Sequence, residues 1–401
     1  MSTAKNTQLY DQCIQLIDRE EVISFLAEMI RTDSSNPPGN ERSVALVDQK
    51  KFSEHGIDSI IEDLPYLEGE QRANLVARME GLERRPHLLY SAHSDVVPAT
   101  KMNWKRDPFG AEIVSDVMYG RGTVDMKAGS AAMIMAMCIL KKAGIRLKGT
   151  MTFAHTCSEE VCFHGSGAYV KTHGMDDVDA LAISEPTNST IYIAERGGFW
   201  LKFTSYGKTA HGGLPQEGIN SLAHMLMFFE RFRHYDFGEV KHPLLGRSTL
   251  SITTMHAGTN TNVIPEKCEA TVDIRTVPGV SHLKILADIQ DMIGTLKKED
   301  ANLRIEVEPV NDHPPFESDL KDPFIDLAFK TYSQVYGRES SPGGAYYMTD
   351  AVSFLKAKRI PMVICGPGDT ALIHQPDEHV RIPDVMDSVK YYIALAINYF
   401  G

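Results

Sequence analysis

The chain has 401 residues, of which 43% are hydrophobic and 23% charged, as is usual for a globular protein with a large buried core. Its formal net charge of −12 argues against a nucleic-acid partner, because phosphates need a basic binding face. Residues 1–21 lack the apolar core of a signal peptide, and no apolar run is long enough to span a membrane. The six cysteines show no C-x-x-C spacing, so we expect reduced thiols in a cytoplasmic protein.

Four apolar runs rich in strand-forming residues each end at a cluster of polar side chains. In chain order they cover residues 85–92, 150–157, 179–184 and 361–365. A helical pattern lies between two of them, at residues 125–143. This alternation predicts an α/β fold with a mixed, mainly parallel central sheet flanked by helices. Ligands of such sheets bind beyond the carboxyl ends of the strands, so the polar clusters predict one common site.

The middle of the chain has a different pattern. Residues 199–205, 250–255 and 268–275 alternate like strands with one buried face, whereas residues 218–233 have helical spacing. We therefore predict a small α+β domain at residues 198–311. It is inserted into a larger catalytic domain made of residues 1–197 and 312–401.

The polar clusters contain the residue types that hold divalent metal ions. The candidates follow a strand or a strand and turn, and they are His93, Asp95, Asp125, Glu159, Glu160, Glu185 and His374. Each signal is weak by itself, since a second His-x-Asp occurs at His234 and a second Glu-Glu pair at Glu20. Asp125 could merely cap a helix, Glu185 could be an exposed turn residue, and His374 could be an ordinary loop histidine. Joint occurrence after successive strands favours a metal site.

The whole set resembles the M20 family of di-zinc peptidases and deacylases, over most of the chain. This group includes acetylornithine deacetylase, succinyl-diaminopimelate desuccinylase and glutamate carboxypeptidase. The resemblance implies two metal sites that share one carboxylate, with His93, Asp125 and Glu185 on one ion and Asp125, Glu160 and His374 on the other. Nitrogen and carboxylate ligands suit two Zn²⁺ ions, with Co²⁺ or Mn²⁺ as substitutes.

Two further residues of these clusters receive catalytic roles from the resemblance. Glu159 matches the general base that activates a metal-bridged water for attack on an amide. We expect Glu159 and Glu160 to lie in an extended segment, where neighbouring side chains point in different directions. Asp95 matches the acid that fixes the imidazole of His93 and raises its basicity.

The inserted domain resembles the lid of the same family. His211, in the glycine-rich segment 206–213, matches the histidine that stabilises the oxyanion. In dimeric members this histidine comes from the partner subunit, which implies a homodimer formed through the lid domain. Asn262 and Arg275 match substrate-binding positions, where Arg275 would grip a carboxylate. The alternative for Arg275 is an ion pair with a nearby acid at a strand edge.

Gly343 and Gly344 match a glycine pair of the family's substrate pocket. Here the pair is followed by Ala345, Tyr346, Tyr347 and Met348, which add bulk that many relatives lack.

The predicted reaction is hydrolysis of an amide in an N-acyl amino acid, of N-acetyl or N-succinyl type, or in a short peptide with a free carboxylate. Glu185 favours this assignment, because the family's aminopeptidases usually have aspartate there. An M20 aminopeptidase or dipeptidase is the alternative, and a catalytically inactive metal-binding scaffold is a third. A nucleotide-binding protein is disfavoured, since Gly120-Arg121-Gly122 lacks the full phosphate-loop pattern.

Overall fold

The structure is a computed structural model that describes residues 2–65, 71–100 and 103–401. Within those ranges, no helix combines the length and apolar character that crossing a membrane requires. All six cysteines are free thiols, as predicted.

The chain divides into two compact units. The larger unit consists of Met1–Ala194, Glu317–Ala345 and Thr349–Gly401. The smaller unit consists of Glu195–Phe316 and Tyr346–Met348.

Helices and strands alternate through much of the larger unit. Its helices are α1 (Ser2–Ile14), α2 (Arg19–Arg31), α3 (Glu41–Glu54), α4 (Lys127–Lys142), α5 (Glu159–Cys162), α6 (His164–His173), α9 (Pro323–Tyr336), α10 (Ala351–Ala357) and α11 (Ile382–Phe400). Its strands, two of which extend to the unit boundary, are β1 (Asp58–Asp63), β2 (Ala73–Met79), β3 (His87–His93), β4 (Glu112–Val114), β5 (Val117–Tyr119), β6 (Thr150–Thr156), β7 (Ala180–Pro186), β8 (Tyr192–Glu195), β15 (Phe316–Glu317), β16 (Gly343–Ala345), β17 (Met362–Gly366) and β18 (His379–Arg381).

The main sheet has the strand order β1-β2-β6-β3-β7-β17-β8-β15, and β16 pairs with β8. Its four central strands, β6, β3, β7 and β17, are parallel, whereas β1 and β2 are antiparallel. These central strands are the four predicted from the sequence, so a mixed sheet with a parallel centre is confirmed, although the pairings β1–β2, β2–β6 and β17–β8 around it are antiparallel. Every residue of all four is buried, which explains why they appear as continuous apolar runs. Their carboxyl ends meet at one edge of the sheet.

Helix α4 occupies the predicted helical segment and is almost completely buried. Its residues from Ala128 to Leu140 are at most 1% exposed, as expected for a helix in the core. The helix lies so close to the sheet at Gly129 that a Cβ added there would be 2.2 Å from the carbonyl oxygen of Ser184. This glycine therefore lets α4 pack directly against β7.

The smaller unit is an antiparallel sheet packed on two helices. Its elements are β9 (Gly197–Tyr206), β10 (Ala210–His211), α7 (Ser221–Phe232), β11 (Thr249–Ala257), β12 (Val263–Ile264), β13 (Lys267–Thr276), α8 (His282–Glu299) and β14 (Arg304–His313). The sheet order is β11-β13-β9-β14, and β10 pairs with β12. Phe203, Phe228 and Phe232 lie in its own hydrophobic core. The predicted strands and helix of this region are confirmed.

Gly366, at the end of β17, has no room for a side chain beside the metal-ligand candidate on β7. A Cβ there would lie 2.0 Å from the carbonyl oxygen of Ser184 and 2.4 Å from that of Glu185. We expect Gly366→Ala to lower the free energy of unfolding by about 1–3 kcal/mol, because the backbone must shift. Denaturant titration measures this loss.

Gly167→Ala is the matched control for this substitution. Gly167 is an exposed residue of α6, and nothing lies within 4 Å of an added Cβ. Alanine there should raise stability by roughly 0.5–1 kcal/mol, since helical glycine is unfavourable. Equal stability of the two variants would contradict the steric argument.

Candidate metal centre

The predicted ligands gather at the carboxyl edge of the main sheet. His93 ends β3, Glu185 is the sixth residue of β7, and Glu160 lies in the first turn of α5 directly after β6. Asp125 precedes α4 by two residues, and His374 lies in the loop between β17 and β18. Two groups of metal-ligating side chains form there, and within each group the ligand atoms lie within 4.8 Å of one another.

The first group consists of His93, Asp125 and Glu185. The Nε2 atom of His93 lies 3.0 Å from Oδ1 of Asp125 and 3.5 Å from Oε1 of Glu185. On the other side of the ring, Nδ1 lies 2.9 Å from the carbonyl oxygen of Asp95. A carbonyl only accepts, so Nδ1 carries a proton, which leaves Nε2 as the atom that would bind a metal ion held between the carboxylates.

The second group consists of Asp125, Glu160 and His374. The Nε2 atom of His374 lies 3.2 Å from Oδ2 of Asp125 and 3.1 Å from Oε2 of Glu160. Asp125 therefore turns one carboxylate oxygen toward each histidine. This is the arrangement in which one carboxylate bridges two ions.

The ligand spacings fit divalent metal ions. Four ligands about 2.0 Å from a tetrahedral zinc ion lie about 3.3 Å from one another. The spacings of 3.0–3.5 Å between histidine nitrogen and carboxylate oxygen agree with this value. Nitrogen and oxygen donors without sulfur suit Zn²⁺, and also Co²⁺ or Mn²⁺.

The electrostatics of the cluster also favour a bound cation. Burial raises the pKa of Glu159 and of Glu185 well above the usual value, and the neighbouring carboxylates raise both further. Hydrogen bonds to Asp125 and Glu160 raise the pKa of His374 to about 10. Buried carboxylates crowded in this way resist ionisation together, and a divalent cation would relieve their repulsion.

Comparison with known proteins decides the family. The family model of peptidase family M20/M25/M40 matches residues 89–398. The chain belongs to this family. Membership makes it a metal-dependent hydrolase.

Similarity to individual proteins extends over nearly the whole chain. A probable succinyl-diaminopimelate desuccinylase of Staphylococcus aureus is 28% identical, covering 95% of this chain and 98% of its own length. Aminopeptidase PepT from Bacillus cereus has a TM-score of 0.77 at 20% identity, covering 96% and 99%. A dinuclear metal-binding M20 peptidase from Bacillus subtilis has a TM-score of 0.71 at 17% identity, covering 95% and 98%. The two solved structures share the fold of this M20 chain.

Two alternatives raised by the sequence are wrong. Asp125 does not cap α4, because Met126 occupies the N-cap position and makes no side-chain capping bond. Glu185 is not an exposed turn residue, since it is 4% exposed. By contrast, the second His-x-Asp, at His234, is exposed just after α7, as expected for a surface residue.

The expected extended segment at Glu159 is also wrong, because α5 begins at that residue. Ser158 adopts a left-handed conformation with φ of 63°, which turns the chain from β6 directly into the helix. Neighbouring residues of a helix point about 100° apart, so the two glutamate side chains still diverge. Glu160 joins the second metal group, whereas Glu159 belongs to neither group.

Asp95 contacts the site partly as predicted, since its carboxylate is among the groups that raise the pKa of His93. Its carboxylate lies 3.6 Å from Nδ1 of His93, beyond a good hydrogen bond, while its carbonyl holds the ring. The carboxylate instead accepts the backbone N–H groups of Glu159 at 3.0 Å and Glu160 at 3.2 Å, and the amide of Asn36 at 2.8 Å. Asp95 therefore orders the turn that presents both glutamates.

The sequence did not reveal a buried pair beneath this edge. Nδ1 of His155 lies 2.6 Å from the carboxylate of Asp48, and Nε2 lies 2.9 Å from the carbonyl oxygen of His93. The pair therefore supports the end of β3. Asp48 and His155 are 107 positions apart, and neither has a local signal in the sequence.

The predicted lid residues all lie in the smaller unit. His211 is exposed in β10, and its Nδ1 accepts the N–H of Gly213 at 3.0 Å. Asn262 is exposed just before β12. Arg275 forms an ion pair of 2.9 Å with Asp273 of the same strand, which is the alternative raised from the sequence.

The predicted glycine pair lies in β16 of the larger unit. A Cβ on Gly343 would lie 2.3 Å from the ring of Tyr192, so the glycine allows this close approach. The bulky residues that follow have separate contacts. Tyr346 is 63% exposed, and the guanidinium of Arg196 lies 5.0 Å from its ring centre.

Proposed function

We propose that the protein hydrolyses the amide bond of an N-acyl amino acid, of N-acetyl or N-succinyl type, or of a short peptide with a free carboxylate. Glu159 carries the proposal. It is buried and belongs to neither ligand group, and its Oε2 lies 4.0 Å from Nε2 of His93. An inactive metal-binding scaffold would have no use for a buried carboxylate at that place.

The metal-holding residues would be His93, Asp125 and Glu185 for one ion and Asp125, Glu160 and His374 for the other. When bound, two Zn²⁺ ions supply Lewis-acid chemistry that polarises the amide carbonyl and acidifies water. Glu159 takes the proton of the attacking water and delivers it to the leaving amine. Asp95 keeps the Glu159 turn in place through the backbone N–H groups described above.

The smaller unit would supply the remaining functions as a lid. In this proposal His211 stabilises the oxyanion, Asn262 and Arg275 bind the substrate, and Arg275 binds its carboxylate. Gly343 and Gly344 would line the pocket for the acyl group or side chain. We also propose a homodimer formed through the lid, and β11 supports it, because this nine-residue strand lies at the edge of its sheet with most residues exposed.

A turnover screen of the zinc-loaded protein tests the substrate class. The panel contains N-succinyl-diaminopimelate, N-acetylornithine, dipeptides with a free α-amine and folate-type amides. We expect turnover of the N-acyl substrates, in line with Glu185 and with the similarity to the desuccinylase. Activity confined to the dipeptides would instead establish an aminopeptidase or dipeptidase. A zinc-loaded protein inactive on the whole panel would contradict the proposed reaction.

A further inference from the structure

Glu378 is a buried carboxylate that gathers four hydrogen bonds from the segment ending at Asp125. The residue is 0% exposed. Its Oε1 accepts the backbone N–H groups of Val124 at 2.7 Å and Asp125 at 3.1 Å. Its Oε2 accepts the N–H of Gly122 at 3.2 Å and the guanidinium of Arg121. The loop that presents the shared carboxylate is therefore wrapped around one side chain.

Arg121 extends these contacts to the other ligand loop. Besides Glu378, its guanidinium donates to the carbonyl oxygen of His374 at 3.3 Å. Arg121 is 4% exposed, and its guanidinium lies 5.2 Å from the ring centre of Trp104. One buried cation thus bonds both to the carboxylate beneath Asp125 and to the backbone of the His374 loop.

The two metal groups differ in how their ligands are held. His93 and Glu185 belong to buried central strands, where the hydrogen bonds of the sheet fix their backbone. The side chain of His374 is 44% exposed, and its backbone has a φ of 60° in a loop outside the sheet. It therefore depends on tertiary contacts for its position, and Arg121 provides one.

We propose that Arg121 and Glu378 form a positioning clamp, in which Glu378 holds the Asp125 segment that both groups share, and the bond from Arg121 to the backbone of His374 sets the metal affinity of the second group. This inference rests on the proposed function, since it assumes that both groups bind metal. Residues that orient metal ligands typically change affinity by about 10–100-fold when they are replaced.

Arg121→Lys is the decisive variant. Lysine keeps a positive charge beside Glu378, but a single ammonium lacks the planar fork that bonds Glu378 and His374 together. We expect one of the two zinc ions to bind about 10–100-fold more weakly. The other zinc ion should bind as in the wild type.

The measurement is chelator competition with the zinc-loaded protein, in which the zinc remaining per chain is determined by mass spectrometry. His374→Ala, which removes a ligand of the second group, gives the reference pattern for loss at that site. Arg72→Lys is the matched control, because it alters another buried arginine–glutamate pair, Arg72–Glu41 at 2.7 Å. The control should release both ions as the wild type does.

Selective release of one ion from Arg121→Lys, in the pattern of His374→Ala, supports the clamp, and selective release in another pattern overturns it. Release like that of the wild type, or equal weakening of both ions, overturns it even when the wild type binds two ions and is active. A wild type that binds no zinc overturns the proposed function together with the clamp. If Arg121→Lys does not fold, amide hydrogen exchange of the zinc-loaded wild type tests the clamp instead. Slow exchange at Val124 and Asp125 supports the clamp, and exchange at the rate of an exposed loop overturns it.

Discussion

Replacement of Glu159 by glutamine is expected to lower kcat by about 10²–10⁴-fold while both zinc ions stay bound. Glutamine has nearly the same shape but cannot accept a proton. In the metal-free protein, burial raises the pKa of Glu159 well above its usual value, so this carboxylate lies where it can hold a proton. Steady-state kinetics and the zinc content per chain, measured on the same sample, check both halves of the prediction.

The neighbouring glutamate is the matched comparison. Glu160→Gln removes a ligand of the second group, so we expect it to lose metal and activity together. Glu20→Gln changes the other Glu-Glu pair of the chain, at the start of α2, and should leave both unchanged. A Glu159→Gln enzyme with two zinc ions and a kcat near that of the wild type would rule out Glu159 as the base.

The positions of the ligands could be predicted because the central strands are buried on both faces. Such a strand is a continuous apolar run, and its end is marked by the first polar residues. His93 is the last residue of β3, and Glu160 follows β6. The pattern of strands alone therefore predicts that these polar residues, distant in the chain, lie together at one edge of the sheet.

The supporting contacts could not be predicted in the same way. Arg121 and Glu378 are 257 positions apart, and their contact depends on how two loops pack at the sheet edge. The helical turn at Glu159 depends on Ser158, whose left-handed conformation is uncommon for residues other than glycine. Neither feature produces a periodic pattern along the chain.

The ion pair of Arg275, unlike these contacts, has a signal in the sequence. Asp273 and Arg275 are two positions apart in a predicted strand, and side chains with that spacing lie on the same face. The predicted strand therefore places the two opposite charges where they can form an ion pair. The proposed role in carboxylate binding came from family resemblance, and it requires that Arg275 contact the substrate while it remains bonded to Asp273.

Removal of the metal ions is expected to abolish turnover and to lower the thermal stability of the protein. A ligand present at 100 times its Kd stabilises the folded state by about 2.7 kcal/mol per site. Chelation removes this contribution and leaves buried carboxylates facing one another. Kinetics and thermal unfolding of zinc-loaded and chelated protein measure the two effects, and added zinc should restore both.

The pH dependence of this stability loss has a definite sign. In the metal-free protein the pKa values of Glu159 and Glu185 are raised above the usual 4.5, so the folded state holds protons that the unfolded state releases. Its stability should therefore fall as the pH rises above about 4.5, and further from about pH 6.5 to about pH 10, where folded His374 still holds the proton that the unfolded chain has lost. Bound zinc keeps the carboxylates ionised and competes with protons, which removes most of this dependence. The difference in Tm between the two forms should thus grow from about pH 5 to about pH 8, and a difference that shrinks over this range would contradict the buried-carboxylate account.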